Sequence, residues 1–188
     1  MILLGASMPG RNTEQHDIYF GIAEELNDLH GDLLKFWPEA GRKLHIDAWR
    51  EVRFIDGYEL TIVPRNDSKP SVQSLAKLFF INLGGYKKNE FEEFHYKMIV
   101  AAKDKGEAIQ LAKQTSFYKH TGIQGADSHI DDKYGVDVDD FYEITDILSA
   151  DMKAQYQIIL QPAIDQAEDQ LHLGYITMTK LLANQGGK

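Results

Sequence analysis

Two Glu-x-His triplets, Glu14-Gln15-His16 and Glu93-Phe94-His95, are the residues of this chain best suited to chemistry. On a β-strand, residues two apart point to the same face. Glu14 with His16, and Glu93 with His95, can therefore each form a carboxylate–imidazole pair. A carboxylate bonded to one ring nitrogen fixes the tautomer and raises basicity at the other. Such a pair serves a general base or a metal ligand. Packing of two repeats about a pseudo-twofold axis would offer a way for the pairs to converge. The plainer alternative is loop bracing, in which each imidazole satisfies backbone groups of a nearby glycine loop and each Glu is solvated. These four residues are the only catalytic candidates. No metal ligand set and no cofactor are assigned.

Other clusters carry weaker chemistry. The glycine segments Gly5 to Gly10 and Gly84-Gly85 stand between strands, whereas a phosphate cradle runs from a strand into a helix N-terminus. Lys87-Lys88 could still attract an anion. The acidic segment 127–140 holds Asp127, Asp131, Asp132, Asp137, Asp139 and Asp140. Its spacing departs from the twelve-residue calcium loop, so a solvated acidic loop is the simpler reading. His45-x-Asp47 and His129-x-Asp131 each supply half of an iron-type facial triad, but the sequence identifies no third ligand. Trp37 and Trp49 read as core or interface aromatics. No serine stands in a nucleophile elbow.

The elements that must position these groups are written twice. Gly5, Glu14 and His16 recur as Gly84, Glu93 and His95 at one constant offset, and Tyr58 to Pro64 recurs in type as Tyr156 to Pro162. Three landmarks in register argue for internal duplication. Met1 to Leu4 reads as a strand, Gly5 to Thr13 as a loop, and His16 to Ala23 as a second strand. Leu26, Leu29, Leu33 and Phe36 give helical spacing over 24–37, which Pro38 closes. Leu44 to Phe54 is a half-exposed strand, and Asp56-Gly57 predicts a tight hairpin into Tyr58 to Val63. The second copy predicts strands at 78–83 and 94–102, with a loop at 84–89. A helix follows at 103–118, with Ile109 and Ala112 on one face, then a long loop at 120–135. Strands at 141–147 and 156–161 close it. Aligning the run from Asp47 with the run from Asp139 matches the hairpins better than aligning the two His-Ile-Asp tripeptides. A further strand is expected at 174–178.

The expected fold is α+β: a tandem duplication of a β-β-α-β-β unit, mainly antiparallel, with helices on one face. Residues 1–64 form the first repeat, 65–77 a connection, 78–162 the second repeat and 163–188 a C-terminal extension. Each repeat is marginal alone, so the two should pack as one globular domain. Exposed edge strands offer a route to a homodimer.

Totals narrow the function. With 188 residues and 43% apolar content, the chain can bury a sizeable core. A net charge of −9 with interspersed signs argues against nucleic acid as a partner. No stretch approaches a membrane span, and Met1 to Leu4 lacks the basic flank of a signal peptide. Zero cysteines exclude disulfides, thiolate zinc sites and thiol catalysis, and make the cytoplasm the default location.

Leu83-Gly84-Gly85 followed by Glu93-Phe94-His95 resembles a bacterial family. So do the partner segments Gly5 to Gly10 and Glu14 to Asp17, and the run Leu44 to Val52. The family is catalogued as domain of unknown function 1543. Ala6 stands where the family pattern leads one to expect a second glycine. The resemblance implies a small soluble bacterial protein and no particular activity. The leading expectation is a non-catalytic binding or assembly protein with a small-ligand or protein partner. The alternative is an acid–base or metal-dependent enzyme using Glu14, His16, Glu93 and His95. The residues alone do not decide whether the chain is an enzyme.

Overall fold

The computed structural model describes the backbone of residues 1–65, 74, 76–87, 89–121, 128–129, 137–164 and 168–183. The chain is α+β, with mostly antiparallel sheets and a few helices, as its alternating and helical patterns predict. It divides into two compact units. Unit 1 comprises residues 1–54, 148–156 and 166–188, and unit 2 comprises 55–147 and 157–165. Among the described residues, no helix is long and apolar enough to cross a membrane.

Unit 1 is built on a four-stranded sheet. Its strands are β1 (Ile2–Ala6), β2 (Gln15–Tyr19), β3 (His45–Trp49) and, from the C-terminal extension, the strand His172–Thr177. The order is His172–Thr177, β3, β1, β2, so β1 is flanked on both sides. The expected helix over 24–37 starts later and is broken. A 3₁₀ turn covers Leu26–Leu29, and helix α1 covers His30–Phe36. The late start has a local cause: Asp28 Oδ2 accepts the backbone N–H of Glu25 at 3.0 Å, which caps the helix at Glu25. Leu29 and Leu33 are buried, and Tyr19 packs edge-on against Phe36 at 5.2 Å. Trp49 stacks on His172, 3.9 Å between centroids, which locks the extension onto the edge of β3.

Unit 2 contains a hairpin and a second sheet. Strands β4 (Phe54–Ile55) and β5 (Tyr58–Pro64) flank Asp56-Gly57, whose φ values of 47° and 91° are the positive pair a primed two-residue turn requires. Strand β6 (Lys77–Lys87) lies between β7 (Glu93–Ala102) and β9 (Asp137–Glu143), and β8 (Ser128–His129) pairs its far end. Helix α2 (Lys105–Thr121) covers this sheet. Ala108 and Ala112, one turn apart, bring it close to Phe79, Ile81, Leu83, Val100 and Ala102. The buried stripe is Ala108 and Ala112, with Ile109 half-buried beside it. After β9 come α3 (Ile144–Ile147), α4 (Ala150–Gln155) and β10 (Tyr156–Pro162), and β10 pairs β5. The extension supplies β11 (His172–Thr177) and α5 (Met178–Ala183) to unit 1.

Three local expectations change. Residues 84–87 continue β6 where a loop is expected, and Gly5 and Ala6 likewise complete β1. Glycine is a turn signal only when the chain lacks a sheet partner; here both flanks are paired. The strand expected at 141–147 ends at Glu143 and turns helical. The acidic residues Asp127, Asp131 and Asp132, the side chains of Lys87 and Lys88, and the His129-x-Asp131 motif lie outside the described side chains.

The three-stranded cores of the two units share one register. Gly5 lies opposite His16 and His45, and Gly84 lies opposite His95 and Asp137. Ile2 pairs Tyr19 and Trp49, and Ile81 pairs Met98 and Phe141. Even the irregularity recurs. The β1–β3 ladder shifts between Leu3 and Leu4, and the β6–β9 ladder shifts between Asn82 and Leu83. The residue skipped is Asp47 in one and Asp139 in the other.

Beyond its turn, Asp56 accepts the backbone N–H of Ala101 through Oδ2 at 2.9 Å. Asp56→Ala strips a part-buried donor of its partner and should lower stability by about 1–3 kcal/mol, whereas Asp56→Asn, which keeps an acceptor and tolerates positive φ, should cost less. Urea unfolding followed by circular dichroism checks the order; equal stability of all three chains would contradict it.

Candidate functional site

The site in unit 1 begins with an absence on the central strand. Gly5 has no side chain, and a Cβ built there would lie 2.5 Å from His45 Nε2 and closer still to Asp47 Oδ2. The volume a side chain would fill is taken by His45 and Asp47 of β3. His16 of β2, and Glu14 just before its first residue, meet these two side chains. In a regular strand, His45 and Asp47 would simply alternate with Ile46. The bulge at Asp47 leaves that residue unpaired and bends the strand locally, which re-aims its side chain.

Four contacts close a ring. His16 Nε2 lies 3.7 Å from Glu14 Oε2 and 3.4 Å from Asp47 Oδ2. His45 Nε2 lies 3.2 Å from Glu14 Oε1 and 3.4 Å from Asp47 Oδ1. Each carboxylate therefore spans both imidazoles. The ring has a dry side and a wet side: His45 is 3% exposed, and His16 is 42% exposed.

His45 is the informative member. Its Nδ1 lies 2.9 Å from the carbonyl oxygen of Lys43, and only an N–H can satisfy that contact. In the neutral ring Nε2 then carries a lone pair. Nε2 is fully buried, has no hydrogen-bond partner, and faces two carboxylates. Asp47 Oδ2 is likewise buried without a hydrogen-bond partner. A lone pair held against two anions is an unfavourable arrangement. A proton on Nε2 or a metal cation among them reverses the sign. Tyr175 of β11 closes the ring's flank, its centroid 4.3 Å from that of His45.

In unit 2 the corresponding groups are Glu93, His95 and Asp139. His95 Nε2 lies 3.3 Å from Asp139 Oδ2, and one ligand atom from each of the three residues falls within 4.8 Å of the others. Gly84 supplies the same gap: a Cβ there would collide with the Asp139 carboxylate. All three side chains are accessible to solvent. At the register position of His45 stands Asp137.

The structure thus joins residues that spacing separated. The pair Glu14–His16 meets the pair His45–Asp47, which by spacing alone is half of a triad. Glu93 and His95 meet Asp139, which by spacing alone belongs to an acidic loop. The available signal was the shared alternate spacing of Glu-x-His and His-x-Asp beside a glycine. Nothing local pointed to Tyr175.

The fold and the clusters define an α+β protein that gathers imidazoles and carboxylates over a glycine of each central strand. Residues 11–62 match the family described as Domain of Unknown Function (DUF1543), the family its motifs resemble. That span contains all four residues of the unit 1 ring. No curated protein matches the chain. Among solved structures, it is similar to a protein Il1583 from Idiomarina loihiensis, with 20% identity, 94% of each chain covered and a TM-score of 0.61. At this identity the likeness concerns the fold.

Gly5→Ala tests the construction of the site. The added methyl group must displace His45 or Asp47, at a cost of roughly 1–3 kcal/mol for overpacking. Gly31→Ala, in α1 with nothing within 4 Å, should instead stabilise slightly. Denaturant midpoints of the two variants should fall on opposite sides of the parent; a neutral Gly5→Ala would show that the gap is not needed.

Proposed function

We propose that this protein is a binding module for a divalent transition-metal ion, held in unit 1 by Glu14, His16, His45 and Asp47. The observation that carries the reading is the buried Nε2 of His45, aimed without a partner at two carboxylates while Nδ1 is tied to a backbone carbonyl. A backbone carbonyl on one ring nitrogen is the usual support for a histidine whose other nitrogen binds metal. The imidazole-to-carboxylate edges also fit, but no three of these residues bring one ligand atom each within 4.8 Å of the others, so an ion must draw the ring inward. Bonds of about 2.0–2.2 Å to a tetrahedral ion place ligand atoms about 3.4 Å apart. The imidazole-to-carboxylate contacts run from 3.2 to 3.7 Å. Two imidazoles with two carboxylates and no thiolate suit zinc, iron, nickel or cobalt. The sequence had assigned no metal ligands because neither half of the set is sufficient alone. The apolar residues buried in each unit, Leu4 and Ile46 in one and Ile81 and Val100 in the other, support folding without the ion.

The finer features of this reading rest on separate support. The shared register and bulge support an internal duplication. The absence of cysteine supports a cytoplasmic setting. The strand β11 lies at a sheet edge with Leu173 and Tyr175 exposed, which supports pairing of two copies.

Metal-free protein titrated with Zn²⁺ or Co²⁺ provides the test. One ion per unit 1 should bind, and at a free concentration of 100 Kd it should stabilise the fold by about 2.7 kcal/mol. His45→Ala and Glu14→Gln should each weaken binding at least about tenfold. Unchanged affinity in His45→Ala would sink the proposal.

A second reading, a metal-dependent hydrolase, is favoured by the exposure of Glu14 and His16. In this reading His16, His45 and Asp47 would hold the ion, the fourth place would take a water whose acidity the ion raises, and Glu14 would accept the proton rather than bind the metal. Metal-stimulated hydrolysis of p-nitrophenyl phosphate or acetate, lost in Glu14→Gln, is the expected result. Tight metal binding without turnover of either ester would leave the binding module and remove the enzyme.

A further inference from the structure

We propose that unit 2 holds a second cation site, formed by Glu93, His95 and Asp139, with a harder character than the site in unit 1. The proposal extends the reading above, but it stands on its own ligands. Three observations lead to it. One ligand atom from each residue lies within 4.8 Å of the other two, the spread that donors around a single ion occupy. Asp139 is the bulged residue of its strand, so its side chain is turned toward His95 Nε2, 3.3 Å away. Gly84 leaves the space that this carboxylate fills. A bulge between the partners of Asn82 and Leu83 and a bare glycine at position 84 are two neighbouring departures from a regular sheet, and both serve the meeting of these three groups.

The two sites differ in donor chemistry. Unit 1 offers two imidazoles and two carboxylates. Unit 2 offers one imidazole and two carboxylates, and the strand position that carries His45 in unit 1 carries Asp137 here. Imidazole favours the later transition metals, whereas carboxylate and water suit manganese, magnesium and calcium. The accessible side chains of unit 2 also leave room for several waters, which a six-coordinate oxygen-preferring ion retains. The site therefore fits a Mn²⁺-like cation. Zn²⁺ will still bind there by its greater general affinity, but the ratio of Mn²⁺ to Zn²⁺ affinity should be higher in unit 2 than in unit 1.

The experiment uses full-length, metal-free protein and Mn²⁺ as the probe, with free ion counted by electron paramagnetic resonance. The double variant His16→Ala/His45→Ala should retain one Mn²⁺ per chain. The double variant Glu93→Gln/Asp139→Asn should lose that binding at least tenfold while keeping the Zn²⁺ affinity of unit 1. Both changes in unit 2 are isosteric at accessible positions, and circular dichroism verifies the fold. As a second readout of the His16→Ala/His45→Ala chain, substoichiometric Mn²⁺ should broaden the imidazole proton signals of His95. Full Mn²⁺ binding by Glu93→Gln/Asp139→Asn, no uptake by His16→Ala/His45→Ala, or an unbroadened His95 overturns the proposal. Loss of Zn²⁺ binding at unit 1 with Mn²⁺ retained at unit 2 would remove the earlier reading and leave this one standing.

Discussion

The arrangement of both units depends on one constraint: a glycine in the central strand must lie close to a bulge in its neighbour. Sheet geometry normally keeps side chains of adjacent strands side by side, at separations set by the pleat. The bulges at Asp47 and Asp139 break that spacing and turn a carboxylate over the central strand. Gly5 and Gly84 leave room for it, and any side chain there would collide. The remaining parts serve this meeting. Flanking strands bring Glu14 and His16, or Glu93 and His95, to the same point. The apolar faces below hold the three strands in one register.

The burial of that apolar face explains why the register is reliable. Slipping any strand by one residue would expose Leu4 and Ile46 in unit 1, or Ile81, Leu83 and Val100 in unit 2, all now sealed from solvent. The polar groups thus inherit their positions from packing on the opposite face of the strands. In unit 1 a further element contributes. Strand β11 binds the free edge of β3, Trp49 stacks on His172, and Tyr175 rests against His45. The chain's last strand therefore completes a cluster begun by its first.

The two clusters are variations on one geometry. Both have a Glu-x-His pair and a bulged aspartate. They differ at the position occupied by His45 in one and Asp137 in the other. That substitution removes a nitrogen donor and adds negative charge to the strand. The clusters differ in exposure as well: His45 is buried, while Glu93, His95 and Asp139 are accessible. Different donors on a similar three-stranded scaffold would favour different cations, because selectivity depends on ligand type more than on fold.

How much was legible in the chain follows from what is local. The α+β class, most of the strands, the Asp56-Gly57 hairpin and the Glu-x-His pairs were readable, because alternation, turn chemistry and i, i+2 spacing are properties of a few neighbouring residues. The preferred alignment of Asp47 with Asp139 agrees with the ladder registers, since the strands around them repeat in type. The helix limits were less legible, because Asp28 sets the start by a single capping hydrogen bond. What the sequence could not determine was which distant residues meet. His45 and Asp47 join Glu14 and His16 only through pairing of β3 and β2 with β1, and the bulge that aims Asp47 is a mismatch between strands, invisible in either one alone. The orphaned Nε2 of His45 is likewise a tertiary fact: the sequence supplies the imidazole, but only the fold buries it, ties its other nitrogen to Lys43, and faces it with two carboxylates.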